Sequence, residues 1–399
     1  MEYSDMSDDF SRFDLDQADA AGSVLSRGEL VQEIRASFAA IQPHDAAAAA
    51  WFYQHFLTVN PRYRKYFSGD PLVLQRRLFQ AVERIVADLD RLDVFLPYLR
   101  RLALRHRKFG LRQAHYQAFG VSLLATLREF SGPYWTARTE DAWSTGYGLV
   151  ASVMLAAAEE ADRVSPPYWD AEVVGHGLVA PGIAQLTVRV RQDRARPGRY
   201  AFRAGQYAAV ETPQLDRTWR DFSFSGAPKA EDEVEFQIQA GRPGGVSDVL
   251  VNATAVGDRI RIAAAEGDLA FPEPARAGRL VAVAHGTGAA PILALAQAAA
   301  MAGDPRPLTV LLVTEGEQHY LAVPFAQLAA EHGALAVEQL VGEPAAAVRA
   351  HAIAVDRGPG MAGGLGAVLV GPSPLVESCR TALLHAGVDA ADISSDLFG

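Results

Sequence analysis

Residues 97–127 read PYLRRLALRHRKFGLRQAHYQAFGVSLLATL, and the first histidine of this stretch, His106, decides what the chain is built to hold. Leu99 and Ala103 recur at helical spacing and His106 continues their apolar face, so its side chain is expected to point inward. A buried neutral imidazole is a good ligand for iron when its second nitrogen bonds a carbonyl or carboxylate. Taken by itself, the basic run 105–108 favours a solvated histidine instead. The flanking sequence reverses that preference.

The pattern around this stretch is helical from residue 23 to about residue 163. Apolar side chains recur at helical spacing throughout, and no strand pattern interrupts them. This predicts an all-helical domain over 23–163, followed by a stiff connector because Pro166 and Pro167 stop the last helix. Residues 1–22 carry seven acidic side chains against one arginine, which predicts a disordered acidic tail, with partner binding as the alternative.

The second half changes to the patterns of strands. Short strands are predicted at 184–190, 207–210, 234–238 and 259–262, separated by glycine, proline and aspartate turns, which is typical of a small antiparallel β-barrel. From residue 279 onward, the run LVAVAHGTGAAPILALAQAA passes from strand through a glycine turn into a helix, and further buried strands follow. We therefore expect a barrel domain over 164–275 and a parallel, doubly wound α/β domain over 276–399.

Composition limits the classes of partner and the cellular compartment that the sequence is compatible with. A chain of 399 residues suits two or three domains, and its net charge of −10 argues against nucleic acid or anionic membrane as the main partner. Cys379 is the sole cysteine, which excludes an intramolecular disulfide and fits a reducing cytoplasm. Neither a secretory signal nor a run long enough to span a membrane is visible, so the sequence predicts a soluble, cytoplasmic protein.

Three segments of the helical half resemble the globin half of flavohaemoglobins. They are AAWFYQHFLTVNPRYRKYF at 49–67, LRHRKFGLRQAHYQAFGVSLLATL at 104–127 and DAWSTGYGLVASVML at 141–155. The resemblance continues into a flavin and nicotinamide reductase half, so it covers all but the acidic tail. It implies an all-α globin domain, an antiparallel β-barrel that binds FAD and an α/β domain that binds NADH. Haem b, FAD and NADH are the implied cofactors.

The resemblance assigns roles around the haem. His106 would be the axial ligand of the iron, and Tyr53 would donate its hydroxyl hydrogen bond to dioxygen bound on the opposite, distal side. Phe67 would wedge against the porphyrin and Leu78 would cover the iron from the distal side. Arg105 would pair with a haem propionate or with an acidic residue of the reductase half, and a solvated arginine is the plain alternative.

The distal side departs from the family in one respect. The segment between Phe67 and Leu78 is shorter than in the family, so the residue that is usually a glutamine is either Leu74 or Gln75. A spacing of four residues before Leu78 selects Leu74. The distal side of the haem pocket would then have one polar hydrogen-bond donor, Tyr53, instead of two.

The opposite, proximal side departs as well. Tyr116 matches a tyrosine that, together with a glutamate, raises the basicity of the axial histidine in the family. Ala158 stands where that glutamate is expected, and Glu159 and Glu160 come just after it. A shift of one residue turns a helical side chain by about 100°, so Glu159 does not substitute unless the helix is irregular. The carboxylate that would help the axial histidine to donate electron density to the iron is therefore missing from its expected position.

The flavin site is implied by a signature in the barrel. Residues 220–223 read RDFS and resemble the Arg-x-Tyr-Ser signature of barrels related to ferredoxin reductase. Arg220 would neutralise the pyrophosphate, Phe222 would pack on the isoalloxazine ring, and Ser223 would bond a polar edge of the flavin. Tyr207 matches another flavin contact. A phosphate seat at the start of a helix over 247–252 is predicted from Gly245, Val246 and Ser247.

The nicotinamide site is indicated by a turn between a strand and a helix. The motif consists of Gly286, Thr287, Gly288, Ala289, Ala290 and Pro291. Its glycines let the backbone approach a pyrophosphate, and its proline suits a first helical turn. This GxGxxP pattern resembles the reductase domain, and the alternative is a strand-to-helix turn without a ligand.

Other positions of the reductase half qualify this assignment. Gly371 and Pro372 match a second segment near the nicotinamide, but Ala290 and Val370 stand where the family commonly has threonine and cysteine. Both losses weaken the case for efficient hydride transfer. Carboxylates that follow the next strand favour a ribose hydroxyl over a ribose phosphate, and hence NADH; they are Glu315 and Glu317.

The last four residues, Asp396 to Gly399, resemble the family's Glu-x-Phe-Gly ending. By that resemblance Phe398 lies over the flavin and Asp396 faces the haem. Arg105 and Asp396 would then help to join the two halves electrostatically.

The resemblance implies a nitric oxide dioxygenase that passes electrons from NADH through FAD to haem and converts NO and O2 to nitrate. The departures at Phe222, Ala158, Ala290 and Val370 motivate one alternative, a divergent flavohaemoglobin that uses another donor such as D-lactate or another acceptor such as a quinone. A second alternative is an oxygen- or redox-sensing globin. A lipid in the haem pocket and a monomer or dimer are both compatible with the sequence.

Overall fold

The computed structural model describes residues 25–67, 70–191, 199–229, 232–316, 318–342, 344–356 and 364–398, and for 351–356 only the backbone. The predicted acidic tail, Glu317 and Gly399 lie outside the described residues. The chain divides into two compact units, Met1–Pro167 and Tyr168–Gly399.

The first unit is helical throughout its described part. Its α-helices are α1 (Arg27–Ile41), α2 (Asp45–Val59), α3 (Pro71–Asp88), α4 (Leu92–Arg107), α5 (Gln113–Ser131) and α6 (Ala137–Val164). Their apolar faces enclose one core with large buried side chains such as Ile34, Phe38, Phe52, Phe56, Leu99 and Trp143. The predicted all-α globin class of this unit is confirmed.

Local capping explains where these helices begin. Ser26 and Glu29 form a capping box at the start of α1. The Asp70 side chain accepts a hydrogen bond from the Leu72 amide at 2.9 Å, and Pro71 occupies the first position of α3. Helix α4 starts at Leu92, upstream of Pro97, which lies inside the helix.

The second unit begins with an antiparallel sheet. Its strands are β1 (Tyr168–Ala180), β2 (Ile183–Val190), β3 (Tyr207–Glu211), β4 (Arg220–Ser223), β5 (Glu233–Gln239) and β6 (Arg259–Ala263), in the order β4-β3-β6-β1-β2-β5. The two edges meet where Phe224 bridges Phe236 and the Ser225 amide donates to the Glu235 carbonyl at 2.9 Å. This closure confirms the predicted barrel, although the sequence did not indicate β1 and β4 as strands.

A parallel sheet follows the barrel. It contains β7 (Ala277–His285), β8 (Leu308–Thr314), β9 (Leu335–Val341), β10 (Gly364–Gly371) and β11 (Ile393–Leu397), in the order β11-β10-β7-β8-β9. Helices α8 (Ala289–Met301), α9 (Ala322–Glu331), α10 (Ala345–Asp356) and α11 (Ser373–His385) connect the strands, and α7 (Val246–Asn252) belongs to the barrel half. The predicted doubly wound class is confirmed.

The strand order reverses between β7 and β10. In open α/β sheets, ligands bind at such a switch point, beyond the carboxyl ends of the strands. These ends are His285 and Gly371, beside the predicted nicotinamide turn. The predicted domain bounds at 163/164 and 275/276 stay predictions; α6 ends at Val164 and β7 begins at Ala277. Within the described ranges, no helix is long and apolar enough to cross a bilayer.

Candidate functional site

His106 lies in the last turn of α4 with its ring half-buried. Its Nδ1 atom is 2.6 Å from the Leu102 carbonyl oxygen, and because a carbonyl only accepts, Nδ1 carries the proton and donates. Removal from water lowers the pKa of His106, and the neighbouring cations Lys108 and Arg105 lower it further. The imidazole is therefore neutral, and its Nε2 lone pair is available to a metal.

Tyr53, on α2, packs against the same hydrophobic core as Leu102. Its hydroxyl donates to the Leu74 carbonyl oxygen at 3.2 Å, and burial raises the pKa of Tyr53 to about 12. The Phe67 ring meets the Tyr53 ring edge-on, with centroids 5.4 Å apart. Leu78 packs on this core one turn after Leu74, while Gln75 is turned about 100° away on α3. The structure thus brings Tyr53, Phe67 and the Leu74 carbonyl together.

The predicted flavin contacts divide over two faces of the barrel wall. Tyr207 on β3 lies directly opposite Ser223 on β4, so these side chains share one face. Arg220 and Phe222 alternate to the other face, where Phe222 packs against the barrel core. Gly267 has a φ of +97°, and a Cβ there would be 3.0 Å from the Tyr207 ring, so only glycine allows this approach.

The helix start predicted to seat phosphate is already partly occupied by a carboxylate. Helix α7 begins at Val246, one residue before the predicted Ser247. The Gly244 amide donates to Asp248 Oδ2 at 2.8 Å, and this bond, together with one from Asn252, lowers the pKa of Asp248. A negative charge therefore lies where the pyrophosphate is expected.

A cavity of about 180 Å³ joins the barrel to the last strand. It is lined by Gly205, Tyr207, Gly267, Asp268, Leu269, Ser394, Ser395 and Asp396. Burial raises the pKa of Asp396, and the nearby Asp221 raises it further, because two carboxylates disfavour double ionisation. The structure therefore brings Tyr207 and Asp396 to one cavity beside the flavin signature.

The turn predicted to bind the nicotinamide dinucleotide lies at the switch point, against Phe398. Gly286 has a φ of +55°, which favours glycine. A Cβ on Gly288 would be 2.7 Å from Phe398 Cε1 and 2.9 Å from Val370 Cγ1, so the missing side chain makes room for both. The Phe398 amide donates to the Gly371 carbonyl at 3.2 Å. Thr287 completes the turn; Ala289, Ala290 and Pro291 are buried at the start of α8, and Pro372 precedes α11.

Comparison with known proteins extends over both units. The Globin family profile matches residues 50–154. A flavohemoprotein of Chromobacterium violaceum is 27% identical over 401 residues, covering 92% of this chain and 96% of that protein. One of Bordetella parapertussis is 29% identical and covers 66% and 68%. The crystal structure of a flavohemoglobin from Malassezia yamatoensis, with bound FAD and heme, superposes with a TM-score of 0.74 at 18% identity over 93% of this chain and 98% of that one.

In sequence and in fold this chain is similar to the flavohaemoglobins.

The position expected to carry the proximal carboxylate is Ala158. Helix α6 runs without interruption from Ala137 to Val164, so no irregularity resets its register. Glu159 is exposed, and Glu160 pairs with Arg100 at 3.1 Å. Burial raises the pKa of Tyr116 to about 12, and among the described residues its hydroxyl has no hydrogen-bond partner.

Two side chains near the candidate sites were not predicted from the sequence. Arg107 is buried beside His106. Its Nε and Nη2 donate to Asp162 Oδ1 at 2.9 and 2.7 Å, and its Nη1 donates to Ser165 Oγ at 3.3 Å. These bonds hold the end of α4 against the end of α6. The one signal for Arg107 in the sequence was its place next to His106. Asp248 was the other, and only its bond to Gly244 reveals its position.

The described residues contain no cluster of histidine, cysteine, aspartate or glutamate side chains able to hold a metal ion by itself. His106 is the candidate single protein ligand of a metal whose other ligands come from the porphyrin.

Proposed function

We propose that this chain is a flavohaemoglobin and acts as an NADH-dependent nitric oxide dioxygenase that holds haem b and FAD. The observation that carries the proposal is the His106 imidazole, neutral, with Nδ1–H held by Leu102 and Nε2 available. Two NO, two O2 and one NADH would give two nitrate, one NAD⁺ and one proton, so the two electrons of one hydride serve two turnovers. Haem and FAD, when bound, supply the one-electron chemistry and the splitting of the hydride.

The residues of the helical unit fit a haem. The Leu102 carbonyl fixes the tautomer of His106 and orients its ring. On the distal side, the Tyr53 hydroxyl donates to the Leu74 carbonyl at 3.2 Å, a long bond from which the hydroxyl can rotate to a ligand in the pocket. Because burial raises the pKa of Tyr53 to about 12, the hydroxyl keeps its proton and acts as a donor near neutral pH.

The second unit carries residues that would hold FAD and a dinucleotide, and Asp248 opposes the pyrophosphate only at the start of α7. Tyr207 and Ser223, on one face, would contact the flavin, and Arg220 would neutralise its pyrophosphate. The turn that begins at Gly286 would hold the NADH pyrophosphate at the switch point. We accordingly assign the haem to 23–163, FAD to 164–275 and NADH to 276–399. The single Cys379 supports a reducing, cytoplasmic location.

The deciding experiment measures NO consumption by the haem- and FAD-loaded full chain under oxygen. We expect consumption that requires NADH, with nitrate formed in equal amount to the NO consumed. His106→Ala should abolish it together with haem binding, whereas His44→Ala, which changes an exposed histidine of the same unit, should leave both unchanged. Consumption no faster than that of free haem would reject the proposal.

One observation favours a second candidate, a flavohaemoglobin that takes electrons from another donor. The Phe398 ring and Val370 both lie against Gly288, so they cover one end of the turn predicted to receive NADH. Anaerobic haem reduction by NADH and by D-lactate separates the two candidates. Faster reduction by D-lactate would support the second, and faster reduction by NADH would exclude D-lactate as the preferred donor.

A further inference from the structure

His319 is a buried histidine of the reductase half that the proposed chemistry does not use. It follows β8, and only 4% of its surface is exposed. Its Nε2 atom lies 3.2 Å from the Gly286 carbonyl oxygen, and its Nδ1 accepts from the Leu321 amide at 3.1 Å. A carbonyl only accepts and an amide N–H only donates, so Nε2 carries the proton and Nδ1 does not. These two contacts require the neutral imidazole.

His319 links the ends of neighbouring strands, through its imidazole to Gly286 and through its backbone amide to Gln339. Gly286 directly follows β7, and the His319 backbone amide donates to Gln339 Oε1, on β9, at 2.7 Å. The ring also stacks on Tyr320, with centroids 4.9 Å apart, and the Tyr320 hydroxyl donates to Gln237 of the barrel at 2.8 Å. His319 is thus held on several sides and acts as a rigid support for the turn.

The Gly286 carbonyl accepts from the His319 imidazole and from the Ala289 amide, and the two bonds together set the direction of one peptide plane. In a trans peptide the carbonyl and the following N–H point in opposite directions, and no described peptide bond is cis. Holding the Gly286 carbonyl toward His319 therefore turns the Thr287 N–H away from it. Backbone N–H groups in such a turn are the donors that bind a pyrophosphate.

We propose that His319 is a positioning residue for the dinucleotide: its imidazole holds the Gly286 carbonyl so that the Thr287 amide is presented to the NADH pyrophosphate. The inference rests on the proposed function, because it takes the turn at Gly286 as the NADH site. It adds a side chain outside the GxGxxP motif on which NADH affinity depends.

Because the two hydrogen bonds of His319 require a neutral imidazole, the affinity for the dinucleotide should depend on pH. Burial lowers the pKa of His319 below its usual 6.5 by more than the bond to Gly286 raises it, and His285 at the end of β7 lowers it further. The other groups facing this region are Glu315, 3.9 Å from His285, and two uncharged side chains, Tyr320 and Gln339. Protonation of Nδ1 would oppose the Leu321 N–H. Dinucleotide affinity should therefore be complete above pH 6.5 and fall as the pH drops through the lowered pKa.

Two substitutions separate the two bonds of this imidazole. His319→Gln places an amide N–H donor near Nε2 and retains the bond to Gly286. His319→Asn places an oxygen acceptor near Nδ1 and retains the bond from Leu321. The assay is ferricyanide reduction by the FAD-loaded full chain with NADH as the donor. We expect the KM for NADH to rise about tenfold in His319→Asn and about twofold or less in His319→Gln. The kcat should be unchanged in both variants.

The controls distinguish positioning from folding. His385→Asn changes an exposed histidine on α11 and should leave KM unchanged. NAD⁺ affinity, measured by calorimetry in a series from pH 8 downward, should fall in acid for the unmodified chain but not for His319→Gln. Equal KM values in the two His319 variants, or a loss of bound FAD in both, would overturn the role of His319 while leaving the proposed function in place. Failure of the unmodified chain to bind NAD⁺ or NADH would overturn both.

Discussion

Gly120 on α5 faces Tyr147 on α6, which packs on the core of the helical unit. A Cβ added at Gly120 would lie 2.5 Å from Tyr147 Cε1 and 2.9 Å from Cδ1. The Tyr147 ring cannot simply swing aside, because its hydroxyl donates to the Tyr116 carbonyl at 2.7 Å and its face stacks on Phe119. Gly120→Ala should therefore force the two helices apart or break the bond to Tyr116.

The magnitude follows from three terms. Alanine gains about 1 kcal/mol over glycine in a helix interior. Overpacking costs about 1–3 kcal/mol, and loss of the Tyr147 hydrogen bond costs about 1 kcal/mol. The net expectation is a loss of about 2 kcal/mol in the free energy of unfolding of the helical unit, which lowers its Tm by about 4–8 °C.

The assay is thermal unfolding of the haem-loaded full chain, followed by haem absorbance and by circular dichroism. Gly148→Ala is the matched control, because Gly148 lies on α6, is exposed, and a Cβ there would meet nothing within 4 Å. The control should gain about 0.5–1 kcal/mol. A Gly120→Ala protein as stable as this control would refute the reasoning, since it would show that the contact with Tyr147 relaxes at no cost.

Three further substitutions test the sites. Asp248→Asn keeps the bond from the Gly244 amide and removes a negative charge from the predicted pyrophosphate seat; FAD should bind severalfold more tightly in a fluorescence titration, and weaker binding would contradict this. Asp162→Asn deprives the buried Arg107 of its counter-ion and should cost about 1–2 kcal/mol in the free energy of unfolding, measured in urea, because Asp162 itself is largely exposed. Tyr53→Phe should speed dioxygen release after flash photolysis about tenfold, and an unchanged rate would remove Tyr53 from the distal role.

Local patterns in the sequence predicted much of this protein. The 3.6-residue period around His106 and the alternation at 184–190 report which face of an element is buried, and burial of apolar faces is what selects helix or strand. The turn at Gly286 was predictable for a similar reason, because glycine and proline restrict the backbone of their immediate neighbours. The substitution at Ala158 needed only the continuous register of α6.

Contacts between residues far apart in the chain were decided by the tertiary structure alone. The β-bridge between Phe224 and Phe236 closes the barrel. Arg107 forms an ion pair with Asp162, and the His319 imidazole hydrogen-bonds to the Gly286 carbonyl. No periodicity encodes such pairs, because they depend on how separate elements pack, and packing is set by the shapes of all the side chains between them. The sequence by itself indicated most of the helices and strands and predicted an imidazole ligand at His106, and packing decided which side chains support them.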